Sequence, residues 1–189
     1  MTNEEKIKQF EIEIGFIKDT NIKSFVSDMV SNLPDYFFTI PASSTGKYHP
    51  SYALGNGGLV RHTQSAVRIA KELFNILPQY NDYAQDCIIS ALILHDGCKN
   101  GIGGGVYTAF DHPLQVVKLI EDVYPPIMRT DKPFIEEICN LISSHMGQWN
   151  KDSHSDMELP LPKTKTQNFV HLCDYLASRK FLEFNFDKY

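Results

Sequence analysis

The chain has 189 residues, with 18 Lys and Arg against 23 Asp and Glu, which gives a formal net charge of −5. A chain of this length supports one domain with a sizeable core, and 42% hydrophobic with 22% charged residues excludes wholesale disorder. The acidic balance argues against a protein built to coat duplex nucleic acid, because neutralising phosphates needs a surplus of Lys and Arg.

The first half of the chain is predicted to hold helices on both sides of a long loop. Apolar residues spaced by three and four predict an amphipathic helix over residues 4–17. A second helix is expected from Asn21, as its N-cap, to Leu33, where a proline stops it. Residues 39–58 are rich in proline and glycine and predict a long ordered loop. A further helix is expected over residues 59–74.

The second half follows the same pattern of helices and loops. The nearly unbroken apolar run at the end of residues 83–95 predicts a buried helix. Residues 101–105 predict a flexible glycine loop, and 151–165 a polar, proline-bearing loop. An aspartate followed by a nearby proline predicts two helix starts, for helices over about 111–123 and 131–145. The last helix is expected over about 166–184.

Runs of alternating β-branched residues are absent from the sequence, and we find no internal repeat or linker. We therefore predict an all-α fold, a helical bundle that forms a single domain over residues 1–189, with residues 1–33 as N-terminal helices.

The sequence also predicts a compartment. The polar, acidic start of the chain argues against a signal peptide, and no apolar run approaches the roughly 20 residues that a membrane helix needs. The cysteines form no Cys-x-x-Cys pair, which argues against a zinc ribbon or redox motif. We therefore expect a cytoplasmic protein without a membrane segment, in which the thiols are free. They belong to Cys87, Cys98, Cys139 and Cys173.

Histidines and aspartates interrupt the apolar helices in a recurring way. His95 and Asp96 directly follow the buried run, Asp174 lies within the apolar segment 169–177, and His62 and His145 sit beside other apolar stretches. An ionised carboxylate in a core costs several kcal/mol unless it is paired or coordinates a metal. A cluster of imidazoles and carboxylates is what a divalent transition metal requires.

Each of these residues has a plainer interpretation when taken alone. A single histidine is more often a satisfied core or surface residue than a ligand. Asp174 would then form a buried salt bridge, with Arg61 or Arg68 as its partner. Several independent interruptions at helix ends favour the metal interpretation over these separate ones.

The order His62, His95-Asp96, Asp174 resembles the metal-binding pattern of the HD-domain metal-dependent phosphohydrolase superfamily. Residues 57–63, Gly-Gly-Leu-Val-Arg-His-Thr, are similar to the Gly-Gly-Leu-Leu-Glu-His-Thr of the HD domain in bacterial 3′–5′ exoribonucleases. Residues 95–99, His-Asp-Gly-Cys-Lys, resemble the family's His-Asp-x-Gly-Lys. The resemblance covers a metal-site core of about residues 41–177 and implies a helical bundle of the HD-domain type.

The resemblance also implies a ligand set. It assigns His62, His95, Asp96 and Asp174 to a first metal, while His112 and His145 fall where dinuclear members of the superfamily hold a second. Asp96 would then bridge two ions. Mixed His and carboxylate ligation suits divalent transition metals, namely Mn, Fe, Co, Ni or Zn.

The implied activity is hydrolysis of a phosphate ester by a metal-activated water. Asp96 and Asp174 would orient the nucleophile or relay its proton, and Lys99 would offset charge on the phosphoryl oxygens. The expected substrate is a small nucleotide, a phosphate monoester, a nucleoside triphosphate, or a short or cyclic phosphodiester. The competing interpretation of Lys99 is a solvated loop lysine.

Four further residues are predicted to bind substrate. Lys47 and His49 lie in the loop that leads to His62, and Trp149 follows His145 closely enough to stack on a base. Arg61 replaces the acidic residue of the exoribonuclease motif and adds positive charge beside the site. The alternatives are a loop histidine for His49, packing for Trp149 and a structural salt bridge for Arg61.

Two other functions stay open. The first is a 3′–5′ single-strand nuclease, which the Gly-Gly-Leu motif favours and the net charge of −5 opposes. The second is a regulatory protein that binds metal or nucleotide without turnover, which the complete ligand set opposes. The sequence leaves the oligomeric state open and allows a homo-oligomer.

Overall fold

A computed structural model describes residues 1–43 and 45–180. That part of the chain contains eight α-helices and no strand, so the fold is all-α, as the sequence predicts. No described helix combines the length and apolarity needed to span a membrane. The helices are α1 (Asn3–Lys8), α2 (Glu11–Gly15), α3 (Thr20–Asn32), α4 (Gly58–Phe74), α5 (Asp82–Leu94), α6 (His112–Val123), α7 (Pro133–Ser143) and α8 (Lys165–Ala177).

Helix α5 forms the centre of the bundle. Every residue from Cys87 to Leu94 is buried, because α5 packs against α2, α3, α4, α7 and α8. A helix that is apolar on all sides is suited to this central position. The chain leaves this helix inside the protein, and the next two residues, His95 and Asp96, are therefore buried although they are polar.

The N-terminal segment differs from the prediction of one helix over residues 4–17. It forms α1 and α2, since the backbone of Phe10 leaves the helical region at φ −116° and ψ 16°. This break places the Phe10 ring in the core, 6.1 Å from the ring of Phe37. The N-cap of α3 is Asp19 rather than Asn21, because the Asp19 side chain accepts hydrogen bonds from the backbone at the start of the helix.

The later helices begin and end close to their predicted bounds. The N-cap of α7 is Lys132, and the helix stops two residues before His145. Helix α8 begins at a capping box formed by Thr164 and Gln167. It ends at Ala177, short of the predicted bound, and residues 181–184 of that prediction lie outside the described residues.

One hydrophobic core extends from Phe10 in the N-terminal segment to Ala177 at the end of α8. This continuity supports the expectation of a single domain over residues 1–189, which stays a prediction. The bounds of the metal-site core, residues 41–177, stay predictions as well.

A buried ion pair joins the N-terminal segment to α4. Arg68 donates to Glu13 Oε1 from Nε and Nη2, both at 2.9 Å, and both side chains are almost fully buried. We expect Glu13→Ala to lower the free energy of unfolding by about 3–5 kcal/mol, since it removes the buried carboxylate that faces Nε and Nη2 of the Arg68 guanidinium. Urea unfolding measures this, and the double variant Glu13→Leu/Arg68→Met should recover part of the loss. A loss below about 1 kcal/mol would contradict a structural role for the pair.

Candidate metal centre

The six predicted ligands come from five separate helix segments and meet at one place. His95 and Asp96 follow α5, His112 is the first residue of α6, and His145 follows α7. The other two project from α4 and α8. Five of the six are at most 1% exposed, and the Asp174 side chain is 21% exposed. The set is His62, His95, Asp96, His112, His145 and Asp174.

Two glycines set the start of α4 and hence the position of His62. Gly57 has φ +70°, a conformation that favours glycine. A Cβ on Gly58 would lie 2.3 Å from the carbonyl oxygen of Ala53, so only glycine lets the preceding loop pack this closely. The positive φ of Gly57 and the close packing at Gly58 therefore explain the two glycines of the sequence motif.

Arg61 ties the same loop to α4. Its guanidinium donates to the backbone carbonyls of Tyr52, Leu54 and Asn56. These bonds give Arg61 a structural role, although with loop carbonyls instead of the salt bridge that the sequence suggested. Its substrate-binding role stays a prediction.

A charge-preserving substitution separates the two roles of Arg61. We expect Arg61→Lys to lower the free energy of unfolding by about 2–3 kcal/mol, because lysine cannot reproduce the fork of three charged hydrogen bonds. The KM of the folded protein for its substrate should be unchanged, and urea unfolding with steady-state kinetics measures both quantities. A raised KM without loss of stability would point to contact with substrate instead.

Asp96 lies between two pairs of histidines. Its Oδ2 is 3.7 Å from His62 Nε2 and 3.5 Å from His95 Nε2. Its Oδ1 is 3.0 Å from His112 Nε2 and 3.7 Å from His145 Nε2. Each carboxylate oxygen therefore faces its own pair of imidazole nitrogens.

Asp174 closes the site on the side of α8. Its Oδ1 lies 3.0 Å from His62 Nε2 and 3.5 Å from His95 Nε2. The salt-bridge interpretation is not supported, because Arg68 pairs with Glu13 and Arg61 with loop carbonyls. Within the described residues, three overlapping groups have ligand atoms that all lie within 4.8 Å of one another. These groups are His62, His95 and Asp96; His95, His145 and Asp174; and Asp96, His112 and His145.

Three of the histidines are held in the same tautomer. In each, Nδ1 lies at hydrogen-bond distance from the carbonyl oxygen three residues earlier, and a carbonyl only accepts. Nδ1 must therefore carry the proton, which leaves Nε2 of the neutral ring as a lone-pair donor directed into the site. The bonds join His95 to Leu92 (2.7 Å), His112 to Ala109 (2.7 Å) and His145 to Ile142 (2.8 Å).

This arrangement attracts positive charge. Nε2 of His112 and Nε2 of His145 are only 3.3 Å apart, and both face Asp96. Burial opposes a charge on His95, but Asp96 and Asp174 raise its pKa to about 10, so without a metal Nε2 holds a proton that a bound cation would displace. Buried atoms without a hydrogen-bond partner include His95 Nε2 and Asp96 Oδ1. Lone pairs and carboxylates directed at one point are a donor set that fits a divalent cation.

Lys99 and His49 border the cluster. Lys99 Nζ lies 2.7 Å from Asp96 Oδ2. Burial opposes the charge on Asp96, but Lys99 and His95 hold the pKa of this carboxyl well below its usual range. The His49 ring is 5.3 Å from that of His62, and burial, with His62 and Lys99 nearby, lowers the pKa of His49 to about 3. His49 therefore faces the cluster as a neutral imidazole.

The remaining predicted substrate-binding residues lie farther out. Lys47 and Trp149 are both exposed, and Lys47 lies over the ring of Tyr48. Trp149 stacks on Tyr175, the residue that follows Asp174. The structure thus does not bring Lys47 or Trp149 into the histidine cluster itself.

His171 holds the segment that follows α7, a role that was not predicted from the sequence. Its Nδ1 donates to the backbone carbonyl of His145 at 2.7 Å, and so it fixes the segment that carries a predicted ligand. Gly147 is needed for this contact, because a Cβ there would lie 2.3 Å from the His171 ring. The spacing of three residues between His171 and Asp174 puts both on one face of α8 and was the available signal.

Residues 59–179 match the family model of the HD domain. The chain belongs to the HD domain family. No curated protein and no solved structure matches the chain. The matched segment of the HD domain contains all six clustered residues and Lys99, but not Lys47 or His49.

Membership of the HD domain family indicates a metal-dependent phosphohydrolase. HD domains bind divalent metals, and the buried His and Asp groups of this chain are able to hold them. The narrower similarity to exoribonucleases stays a prediction.

Proposed function

We propose that this HD domain hydrolyses a phosphate ester of a nucleotide, or a short or cyclic phosphodiester, with two divalent metal ions. The observation that carries the proposal is the position of Asp96. One of its oxygens faces His62 and His95, and the other faces His112 and His145. A carboxylate between two groups of nitrogen donors is suited to bridging two ions.

The proposed first ion is bound by His62, His95, Asp96 and Asp174. The proposed second ion is bound by Asp96, His112 and His145. The fixed tautomers support both assignments, since they present Nε2 of three histidines as lone-pair donors. The imidazole and carboxylate donors suit Mn, Fe, Co, Ni or Zn.

Bound metals would supply Lewis acidity and a water activated near neutral pH. The chain itself would supply orientation and charge. Asp174 is the one ligand side chain with substantial exposure, so it would lie at the mouth of the site and orient the nucleophile there. Lys99 is 17% exposed and also lines a cavity of about 100 Å³ with Pro41 and Val106. Its ammonium would therefore be available to offset charge on a phosphoryl oxygen.

His49 would contribute as a neutral hydrogen-bonding group. Its Nδ1 is buried and has no hydrogen-bond partner among the described residues. A substrate or a water between His49 and His62 would satisfy that nitrogen. This supports the proposed place of His49 in the substrate site.

A hydrolysis panel tests the proposal. The full-length protein, loaded with Mn²⁺ or Co²⁺, is incubated with nucleoside mono- and triphosphates, cyclic nucleotides and dinucleotides, and released phosphate or nucleoside is quantified. We expect turnover of at least one class, and none after chelation. Absence of turnover with every substrate and metal would overturn the proposal.

The same panel, extended by single-stranded oligonucleotides and a nucleotide-binding measurement, separates the other functions. Salt-sensitive binding and shortening of single-stranded oligonucleotides, without turnover of small nucleotides, would indicate the nuclease. Nucleotide binding without any turnover, unaffected by Asp96→Ala, would indicate a regulatory protein.

A further inference from the structure

Three aromatic rings and two cations form a cluster outside the metal centre. The Trp149 and Tyr175 rings are nearly parallel, with centroids 5.6 Å apart. The guanidinium carbon of Arg179 lies 4.3 Å from the Tyr175 centroid and 5.7 Å from that of Tyr48. Lys47 Nζ lies 5.1 Å from the Tyr48 centroid. We call these five residues the aromatic rim.

Each ring of the rim belongs to a residue that lies close to the metal centre, either as a sequence neighbour of one of its residues or through one intervening contact. Tyr48 precedes His49, whose ring packs against His62. Tyr175 follows Asp174 in α8. Trp149 is 5.9 Å from the ring of His171, which in turn donates to the His145 carbonyl. The rim therefore borders the centre on the side where α8 and the loop before α4 meet.

The cations of the rim are not neutralised by the described part of the chain. Among residues 1–43 and 45–180, no carboxylate lies within 4 Å of Lys47 or Arg179. Nε and Nη2 of Arg179 both donate to Ser178 Oγ, and its Nη1 has no acceptor there. A protein with a net charge of −5 thus keeps two positive groups beside exposed rings at the border of its metal centre.

Exposed aromatic rings next to cations that have no carboxylate partner among the described residues are suited to a flat, electron-rich ring attached to an anion. A nucleobase stacks on such rings with about 1–3 kcal/mol per base, and a guanidinium offers donors to its acceptor edge. Trp149 is 44% exposed and Tyr48 is 55% exposed, so both have ring surface left to offer.

We infer that the aromatic rim is the base-binding subsite of the substrate: a nucleotide stacks its base on Trp149 while its phosphate reaches the metal centre. Arg179 is a positioning residue, because its guanidinium packs against the rings of Tyr175 and Tyr48. This inference rests on the proposed function for the phosphate, and it adds the base as the group that the protein recognises.

Trp149 is the single tryptophan of the chain, so its fluorescence reports on the subsite directly. The metal-loaded, full-length protein is mixed in a stopped-flow instrument with each of four nucleoside 5′-monophosphates, carrying adenine, guanine, cytosine and uracil, or with ribose 5-phosphate. We expect at least one nucleotide to quench the fluorescence saturably in the first turnover, and ribose 5-phosphate not to. Quenching by none of the four nucleotides would overturn the inference.

Substitutions supply the second readout. Trp149→Ala should lower kcat/KM for the preferred nucleotide about 5- to 150-fold and leave that for ribose 5-phosphate unchanged, while Trp149→Phe should retain most of the activity. Tyr83→Ala is the matched control, since it removes an exposed ring near the start of α5, whereas His95 and Asp96 of the metal centre follow the end of that helix. Equal losses for both substrates, or no loss for the nucleotide, would contradict a base subsite.

The inference and the proposed function fail in different ways. Quenching by a nucleotide, together with no turnover of any substrate in the hydrolysis panel with any metal, would support the subsite and overturn the hydrolase. Hydrolysis of nucleotides and ribose 5-phosphate with equal kcat/KM, without quenching, would support the hydrolase and overturn the subsite.

Discussion

Replacing Asp96 with asparagine should lower kcat at least about a thousandfold, which corresponds to about 4 kcal/mol of lost transition-state stabilisation. The amide keeps the shape of the side chain but removes the negative charge that faces both histidine pairs. It also places an NH₂ group where a ligand oxygen is needed. We expect the metal content to fall as well, and steady-state kinetics with elemental analysis measures both.

Asp86→Asn is the matched control for this prediction. Asp86, like Asp96, is a buried carboxylate, but it lies on α5 and accepts hydrogen bonds from the backbone nitrogens of Lys18 and Asp19, remote from the cluster. Its amide should lower stability while the metal content and kcat of the folded protein stay unchanged. Full activity of the Asp96→Asn variant at unchanged metal content would refute the proposed role of Asp96.

Replacing Lys99 with methionine should lower kcat/KM about 10²- to 10³-fold, as for the loss of a charged group aimed at a developing negative charge. Methionine keeps the length of the apolar stem but removes the ammonium that lies 2.7 Å from Asp96 Oδ2. We expect the metals per chain to be unchanged, because Lys99 is not a ligand. Kinetics on the panel substrate and elemental analysis provide the two measurements.

Lys118→Met is the control for this substitution. Lys118 forms an exposed ion pair with Asp122 on the surface of α6, and its loss should change neither quantity. Unchanged kcat/KM in the Lys99→Met variant would identify Lys99 as the solvated loop lysine that the sequence also allowed. A loss of metal together with activity would instead give Lys99 a role in holding Asp96.

The helical class of the fold was predictable from the sequence because the signal is local. The apolar run that ends before His95 allows no solvent-exposed face, so it had to become the central helix. The break at Phe10 was not predictable, because the pattern of apolar residues continues through it and only the packing of the ring against Phe37 favours it.

The composition of the site was predictable in part. Histidines and aspartates that interrupt apolar helices are visible in the sequence, since an unpaired polar group in a core is costly. Their mutual arrangement was not, because Asp96 and His112 are brought together by tertiary packing alone. The hydrogen bonds of Arg61 were not predictable because their acceptors are backbone carbonyls, which have no sequence signature. The hydrogen bond of His171 to the His145 carbonyl was not predictable because it joins segments that are distant in the chain.

The stoichiometry of bound metal is the most direct test of the proposed dinuclear centre. Elemental analysis of the purified, Mn²⁺- or Co²⁺-loaded protein should give about two ions per chain, and His112→Ala should reduce this to about one while His95 and its neighbours keep the other. One ion per chain in both proteins, or none in either, would contradict the account in which Asp96 is shared between two metals.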